Sequence, residues 1–387
     1  MTTKNSKFHI DNSKLQKPVQ YHVRGFPPRR LDWDRLVPLI GPANAALARY
    51  DGTLAAVPNA AVLLSPLMTQ EAVLSSRIEG TRATMGEVMG FEAGILPDVS
   101  DEGLTADIHE VLNYRKAMER AVELLKELPL CQRIIREAHG ILMEGVRGKG
   151  KAPGEYRRIP NWIGPPGSPI EKATYVPISG DKLPSAMGRW ERFIHEDAPD
   201  KLVQLAQLHA EFEALHPFLD GNGRLGRMFI PLFLFSTGLL RSPMFYISAY
   251  LEARRDEYYE RLLAVSRDGD WSGWCVFFLQ AMRDQAEENL RKADAILDLY
   301  EVLKADFVEW THSQHAIKAL DFIFVHPIFP AAAFTTESDI PKSTAIRILK
   351  ILRDQGIFST LRETKGRQSA VYAHRALLNI AEGKDIF

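Results

Sequence analysis

His216-Pro217-Phe218-Leu219-Asp220-Gly221-Asn222-Gly223-Arg224-Leu225-Gly226-Arg227 is the stretch from which the rest of the chain can be read. Helical apolar spacing ends at Leu215 and a second helix is expected to begin near Gly223, so the run predicts a bend between two helices. Gly-Asn-Gly turns sharply and exposes consecutive backbone N–H groups. At a helix N-terminus those groups, with the dipole, favour an anion. Arg224 and Arg227 are three apart and share a helix face, and guanidinium forks suit phosphate oxygens. Asp220 sets a carboxylate where Mg²⁺ would bridge it to phosphate. His216 is a base that titrates near neutral pH, and Phe218 is the expected apolar anchor. One histidine alone would read as an ordinary turn. An acid, a base, an anion nest and two arginines in one loop predict phosphate chemistry.

Outward from the loop the pattern is mainly helical. Helices are expected over Leu183–Glu196, Leu202–Leu215, Phe229–Leu239, Arg255–Val265 and Gly273–Leu303. Upstream, a helix from an N-cap at Thr69 to a stop at Gly80 is followed by helical periods over 104–128 and Cys131–Met143. Residues 1 to about 30 read as weakly ordered. Between Gly145 and Pro184 the chain turns rich in Gly and Pro, and Asn161-Trp162-Ile163 with Thr174-Tyr175-Val176-Pro177 reads as a hairpin flap. Gly145-Val146-Arg147-Gly148-Lys149-Gly150-Lys151 has the spacing of a phosphate-cradling loop. Ala152 stands where Ser or Thr is required, Pro153 follows, and a helix rather than a strand precedes it, so it reads as a loop.

Downstream, helices over Ala316–Val325 and Pro341–Gln355, then a wing around Lys365-Gly366, predict a C-terminal winged helix-turn-helix. Between Ile340 and Arg375, Lys342, Arg347, Lys350, Arg353, Arg362, Lys365, Arg367 and Arg375 stand against Asp354 and Glu363, a local charge of +6. Ser343, Thr344 and Arg347 fall early in the expected recognition helix, with Ile346, Leu349, Ile351 and Leu352 as its core. DNA is thus an expected partner, with dimerisation or target recognition as the alternative use of the fold.

The chain of 387 residues has 48 Lys and Arg against 49 Asp and Glu, which excludes a wholesale polybasic binder. Cys131 and Cys275 cannot build a disulfide framework or a four-thiolate zinc site. The apolar run Ile230–Leu240 is about half of a bilayer crossing, and Met1–Lys7 has no apolar signal core. A cytoplasmic protein without a membrane partner is expected.

The loop resembles the motif of the Fic family, H-P-F-x-(D/E)-G-N-G-R-x-x-R, and meets every fixed position. The resemblance implies a Fic-type helical core over 111–300, with an N-terminal inhibitory region over 1–110 and the winged helix over 301–387. It implies an adenylyltransferase that moves AMP from ATP, with Mg²⁺, to a Tyr, Thr or Ser hydroxyl of a target protein or of itself. His216 would be the base. Asp220, Gly221, Asn222, Gly223, Arg224, Gly226 and Arg227 would hold the nucleotide, Asp220 through the metal. Tyr258 and Tyr259 would line the base pocket, where Ser266 stands in place of the Asn of some relatives. Ile163, Gly164, Tyr175 and Val176 would form the flap that aligns a target by strand addition. Ser75-Ser76-Arg77-Ile78-Glu79-Gly80 matches the family's inhibitory pattern (S/T)-x-x-x-E-(G/N), which implies that Glu79 pairs with Arg227 in the same chain. A carboxylate in the last helical turn faces the negative end of the dipole, which such a pairing offsets. Removal of AMP by a Glu79-oriented water, a nucleotide-sensing DNA-binding regulator, and a homodimer remain open alternatives.

Overall fold

Helix follows wherever apolar residues recur at helical spacing. The computed structural model describes residues 17–56, 64–98, 101–145, 150–165, 167–366 and 368–385. Met1–Lys7, residues 146–149 of the Gly-Lys loop and Arg367 lie outside the described residues. In chain order the elements are β1 (Val19–Gln20), α1 (Trp33–Ala56), α2 (Ser65–Ile78), α3 (Met85–Glu92), α4 (Glu102–Leu124), α5 (Gln132–Leu142), β2 (Tyr175–Val176), α6 (Leu183–His195), α7 (Lys201–Leu215), α8 (Asn222–Ser236), α9 (Ser248–Ala253), α10 (Arg255–Asp268), α11 (Trp271–Thr311), α12 (Ala316–Val325), β3 (Ile328–Pro330), α13 (Ala331–Glu337), α14 (Lys342–Asp354), β4 (Ser359–Arg362), β5 (Val371–Ala373) and α15 (Arg375–Glu382). They form two compact units from non-consecutive segments, one of residues 1–48, 74–80 and 113–286, the other of 49–73, 81–112 and 287–387.

The first unit is built around α7, which packs against α6, α8 and α10. Asp200 caps α7 by accepting from the Val203 N–H (2.8 Å). Trp190 and Trp274 are fully buried and donate their indole N–H groups to the Leu208 and Ala206 carbonyls, at 2.9 and 2.7 Å. Polar Gln204, His209 and Glu211 are buried on the same helix, so α7 is surrounded by protein rather than amphipathic.

Three expectations change here. The helix before Gly80 starts at Ser65 rather than Thr69, because Pro66 suits a first helical turn. Residues 17–30, read as weakly ordered, include β1, which pairs in parallel with β2 (Val19↔Tyr175, Gln20↔Val176). The expected flap hairpin reduces to one antiparallel bridge, Ile163↔Tyr175. β2 therefore has β1 on one edge and Ile163 on the other, and Tyr175 and Val176 offer no open edge for a further strand.

In the second unit α12, β3, α13 and α14 precede the antiparallel pair β4–β5, and the sheet order is β3-β5-β4. Phe329 meets Phe322 and Phe358 edge-on, at 5.5 and 5.3 Å between centroids, and forms the centre of its core. Ile346, expected in that core, is 54% exposed because Ala345, Leu349 and Leu352 take the inward face of α14. Arg347 donates to the Thr311 carbonyl (2.9 Å) and Arg362 to that of Gly94 (2.7 Å), so both of these cations are engaged inside the unit. Among the described residues, no helix is long and apolar enough to cross a membrane.

Candidate active site

α7 ends at His216, whose backbone is left-handed (φ 47°, ψ 61°). That conformation costs a residue with a Cβ about 1–2 kcal/mol. Arg157 holds it in place. Its Nε donates to the His216 carbonyl (2.8 Å), its guanidinium also reaches the Leu215 and Ile178 carbonyls, and its backbone N–H donates to Pro217 (2.9 Å). Phe218 is fully buried and stacks on the His139 ring, with centroids 3.8 Å apart. The Asn222 side chain closes the loop by accepting from the Phe218 N–H (2.8 Å) and donating to its carbonyl (2.9 Å). Gly221 takes a positive φ of 77°, and a Cβ there would press on Met143 Sδ.

His139 supports the loop from beneath. Its Nδ1 accepts from the Gly154 N–H (2.8 Å), so Nε2 carries the proton and donates to the Asp220 carbonyl (3.1 Å). Burial lowers its pKa to about 4. His209 plays a like part, donating from Nδ1 to the Gly226 carbonyl (3.0 Å) and accepting the Tyr258 hydroxyl at Nε2 (2.9 Å). Burial brings its pKa to about 3. The signal for both was positional: each histidine lies on a helix face otherwise occupied by core residues.

Arg227 is fully buried and meets the last turn of α2. Nε donates to Ser75 Oγ (2.9 Å), and Nη2 donates to the Ser75 carbonyl and to Glu79 Oε1, both at 2.8 Å. Nη1 has no hydrogen-bond partner among the described residues and lies beside Gly223. A Cβ on Gly223 would collide with the Glu79 carboxylate, so that carboxylate sits directly over the first turn of α8. Burial works to raise the Glu79 pKa, but Arg227 outweighs it, helped by Arg224 and His216, and the group titrates below the usual carboxylate range. Burial likewise disfavours the Arg227 charge, and Glu79 reverses that and raises its pKa. His216 is moved to about 4, chiefly by burial, with the Glu79 charge opposing.

These groups form one wall of a cavity of about 320 Å³ that Glu79, Glu213, His216, Gly223 and Arg227 share with Tyr259. The rest of the lining includes apolar Ile163, Ala214 and Leu263 and the hydroxyl-bearing Thr174 and Ser266. Gly164 and Tyr175 also line it. Tyr258, expected at the base pocket, is instead buried, its hydroxyl committed to His209. Tyr175, expected at a docking edge, is buried and donates to the Ala214 carbonyl (2.9 Å). Asp220, Gly221, Asn222, Arg224 and Gly226 shape the loop and its helix without lining the cavity. Glu213, which the sequence reading passed over, is one helical turn before His216. Burial raises its pKa to about 8 against the Arg227 charge, and its Oε1 has no hydrogen-bond partner among the described residues.

Among the described residues no group of three or more His, Cys, Asp or Glu suits a metal ion. Asp220 offers one carboxylate, 45% exposed, with Oδ1 accepting from the Gly221 N–H (2.7 Å) and 3.6 Å from Arg224. Mg²⁺ commonly takes one or two carboxylates and completes its shell with water and phosphate oxygens. The donor set fits a nucleotide-borne Mg²⁺ rather than a metal enclosed by protein.

A helical core, a left-handed histidine before Gly-Asn-Gly and a buried arginine on the following helix define a Fic-type site. The chain belongs to the Fic/DOC family: the family's N-terminal region matches residues 37–123 and its Fic/DOC region residues 129–234. The chain is similar to the protein adenylyltransferase Fic of Drosophila grimshawi, 25% identical over 201 residues. That alignment takes in 50% of this chain and 37% of the relative, so the chain spans little more than a third of the curated relative's length. In fold it is similar to a Fic family protein from Desulfovibrio desulfuricans G20, with a TM-score of 0.55 and 19% identity over 88% of this chain and 95% of that one. It is also similar to Fic-1 (residues 134–508) from C. elegans, with a TM-score of 0.50 and 15% identity over 68% of this chain and 74% of that one.

Proposed function

We propose that the chain is an autoinhibited protein adenylyltransferase that transfers AMP from ATP to a protein hydroxyl. The observation that carries this reading is the shared lining: the partly buried imidazole of His216, Gly223 in the first turn of α8 and Arg227, whose Nη1 has no hydrogen-bond partner among the described residues, border one cavity. The first turn of a helix offers donors and a positive dipole end to phosphate. In the reaction, the hydroxyl oxygen attacks the α-phosphorus, the bond to the β-phosphate oxygen breaks, and pyrophosphate leaves. The imidazole of His216, neutral above about pH 4, takes the hydroxyl proton. Backbone amides at the start of α8, Asn222 and Gly223, would meet the charge that develops on the phosphate, and Arg224 would serve the leaving pyrophosphate. Asp220 would hold Mg²⁺, which when bound neutralises phosphate charge. Catalysis by this chain is then positioning and charge stabilisation, without a covalent enzyme intermediate.

Inhibition follows from occupancy. Glu79 takes the Arg227 hydrogen bond and the space over Gly223 that a terminal phosphate needs. ATP then binds in a pose unfit for in-line attack. A charge-assisted hydrogen bond contributes about 1.5–3 kcal/mol, so release of Arg227 in Glu79→Gly is expected to raise labelling roughly ten- to a hundredfold. The test is incubation with ATP labelled at the α-phosphate and Mg²⁺, followed by mass spectrometry for an added adenylyl group. Label confined to DNA-bound or free nucleotide, with none on protein in either form, would overturn the transferase reading.

A further inference from the structure

Ser266, which lines the cavity, is joined to the N-terminal segment by a largely buried hydrogen-bonded chain. Tyr21 Oη donates to Glu211 Oε1 (2.6 Å), and His22 Nε2 lies 2.8 Å from Glu211 Oε2. On its other side, His22 Nδ1 lies 2.7 Å from Ser266 Oγ, and Ser266 lines the cavity. Glu211 is fully buried on α7. The segment is tied down independently by the β1–β2 pairing, and the His22 ring meets Trp271 edge-on at 5.2 Å. An acid, an imidazole and a hydroxyl are thus linked in series, with the hydroxyl at the cavity.

Proton bookkeeping gives the chain a direction. A carboxylate only accepts, so Nε2 carries the proton it shares with Glu211. In the neutral ring Nδ1 is then an acceptor, and Ser266 donates its single proton to it. The alternative acceptor, Tyr175 Oη, is at 3.5 Å, much weaker than the 2.7 Å contact. Ser266 Oγ is left with only lone pairs to offer the cavity. Tyr259 lines the same cavity as Glu79 and Arg227, and Ser266 is seven residues further along α10, a rise of roughly 10 Å at 1.5 Å per residue, which separates the two lining positions.

We propose that His22 and Glu211 form a specificity element of the site, in which His22 positions Ser266 Oγ as an acceptor that selects a nucleobase with an exocyclic amino group over one with a keto oxygen. Adenine presents N6–H₂ to that acceptor. Guanine presents O6, and two facing acceptors without a proton between them repel. His22 is a positioning residue here and makes no contact with substrate. This deepens the proposed function and rests on a nucleotide binding in this cavity.

The experiment measures equilibrium binding of ATP and of GTP to the full chain by titration calorimetry. Wild type, His22→Phe, Ser266→Ala and Tyr21→Phe are compared. One hydrogen bond of this kind is worth roughly 0.5–1.5 kcal/mol, so the ATP-over-GTP preference is expected to fall about three- to tenfold in His22→Phe. Ser266→Ala should lose the same preference, and the double variant no more than either single one. Tyr21→Phe, which leaves His22 and Ser266 joined, should keep it. If His22→Phe weakens both nucleotides equally while Ser266→Ala keeps the wild-type ratio, the proposal is overturned. If wild type binds neither nucleotide, it is the proposed function that fails.

Discussion

The two ends of the cavity are built on opposite plans. At the phosphate end, His216 and Gly223 come from one loop and the turn that follows it, and Arg227 is one turn further along the same helix. At the base end, Ile163, Ala214, Leu263 and Ser266 come from separate segments, and the residues that orient Ser266 come from further still. The chemistry that needs sub-ångström placement is concentrated in one short loop braced by Arg157, His139 and Asn222. The discrimination between bases proposed above would tolerate assembly from dispersed parts, because it asks only that Ser266 Oγ be held in one orientation. Local sequence sets the first, and tertiary packing sets the second.

The sharpest way to break this division is to remove the base from the phosphate end. His216→Ala is expected to lower transfer by roughly 10²–10⁴-fold, the usual contribution of a positioned general base. The ATP-over-GTP binding preference should stay at its wild-type value, since Ser266 is untouched. Transfer near the wild-type rate, measured with α-phosphate label in the Glu79→Gly background, would remove His216 from the chemistry.

Acid should act next, and also on the phosphate end. His139 and His209 are fully buried, and their pKa values are lowered by burial to about 4 and about 3. A depressed value means that the folded state prefers the neutral ring. The stability this gives is complete above the unfolded pKa of about 6.5 and is lost as pH falls toward the folded values. Each pKa unit is worth about 1.4 kcal/mol, so protonation of His139 costs up to about 3 kcal/mol. Urea unfolding should show stability falling as pH drops from about 6.5 to 4, with Glu213, protonated in the folded state below about pH 8, offsetting part of the loss near neutral pH. In His139→Phe the slope should be shallower by up to one proton, and an unchanged slope would show that His139 is not a buried neutral brace.

How much was legible follows the same line. The bend and most helices lie in contiguous or periodic patterns and appear near their expected residues, whereas the Glu79–Arg227 contact, between positions 148 residues apart, was expected only from the family resemblance. β1 was invisible because two residues of strand carry no pattern. Its partner, β2, lies about 155 residues away (Val19↔Tyr175). Tyr258 and Tyr259 are neighbours, yet one faces His209 and the other the cavity, because successive helical positions point about 100° apart. A resemblance that names a pair of positions cannot choose between them. Glu211 and Glu213 carry no sequence signal of burial or partner, and His22, 189 positions from Glu211, had no reason to be read with either.

The smallest effect expected separates loop shape from loop chemistry. Asn222 is 2% exposed and spends its side chain on the Phe218 N–H and carbonyl, the latter also accepting from Asn161 (3.1 Å). In Asn222→Ala the buried Phe218 N–H loses its partner while the carbonyl keeps Asn161, so the cost is one unsatisfied donor, about 1–3 kcal/mol. Asn222→Asp keeps an acceptor for that N–H and gives up only the second bond, so it should retain most of the stability. If the loop is a rigid scaffold for His216, the alanine form should lose kcat in the Glu79→Gly background more than it loses ATP affinity, because attack geometry degrades faster than binding. Its ATP-over-GTP ratio should not move. Equal losses in kcat and affinity, with the ratio collapsing as well, would mean that the two ends are one mechanical unit and that the contrast between them is only one of sequence spacing.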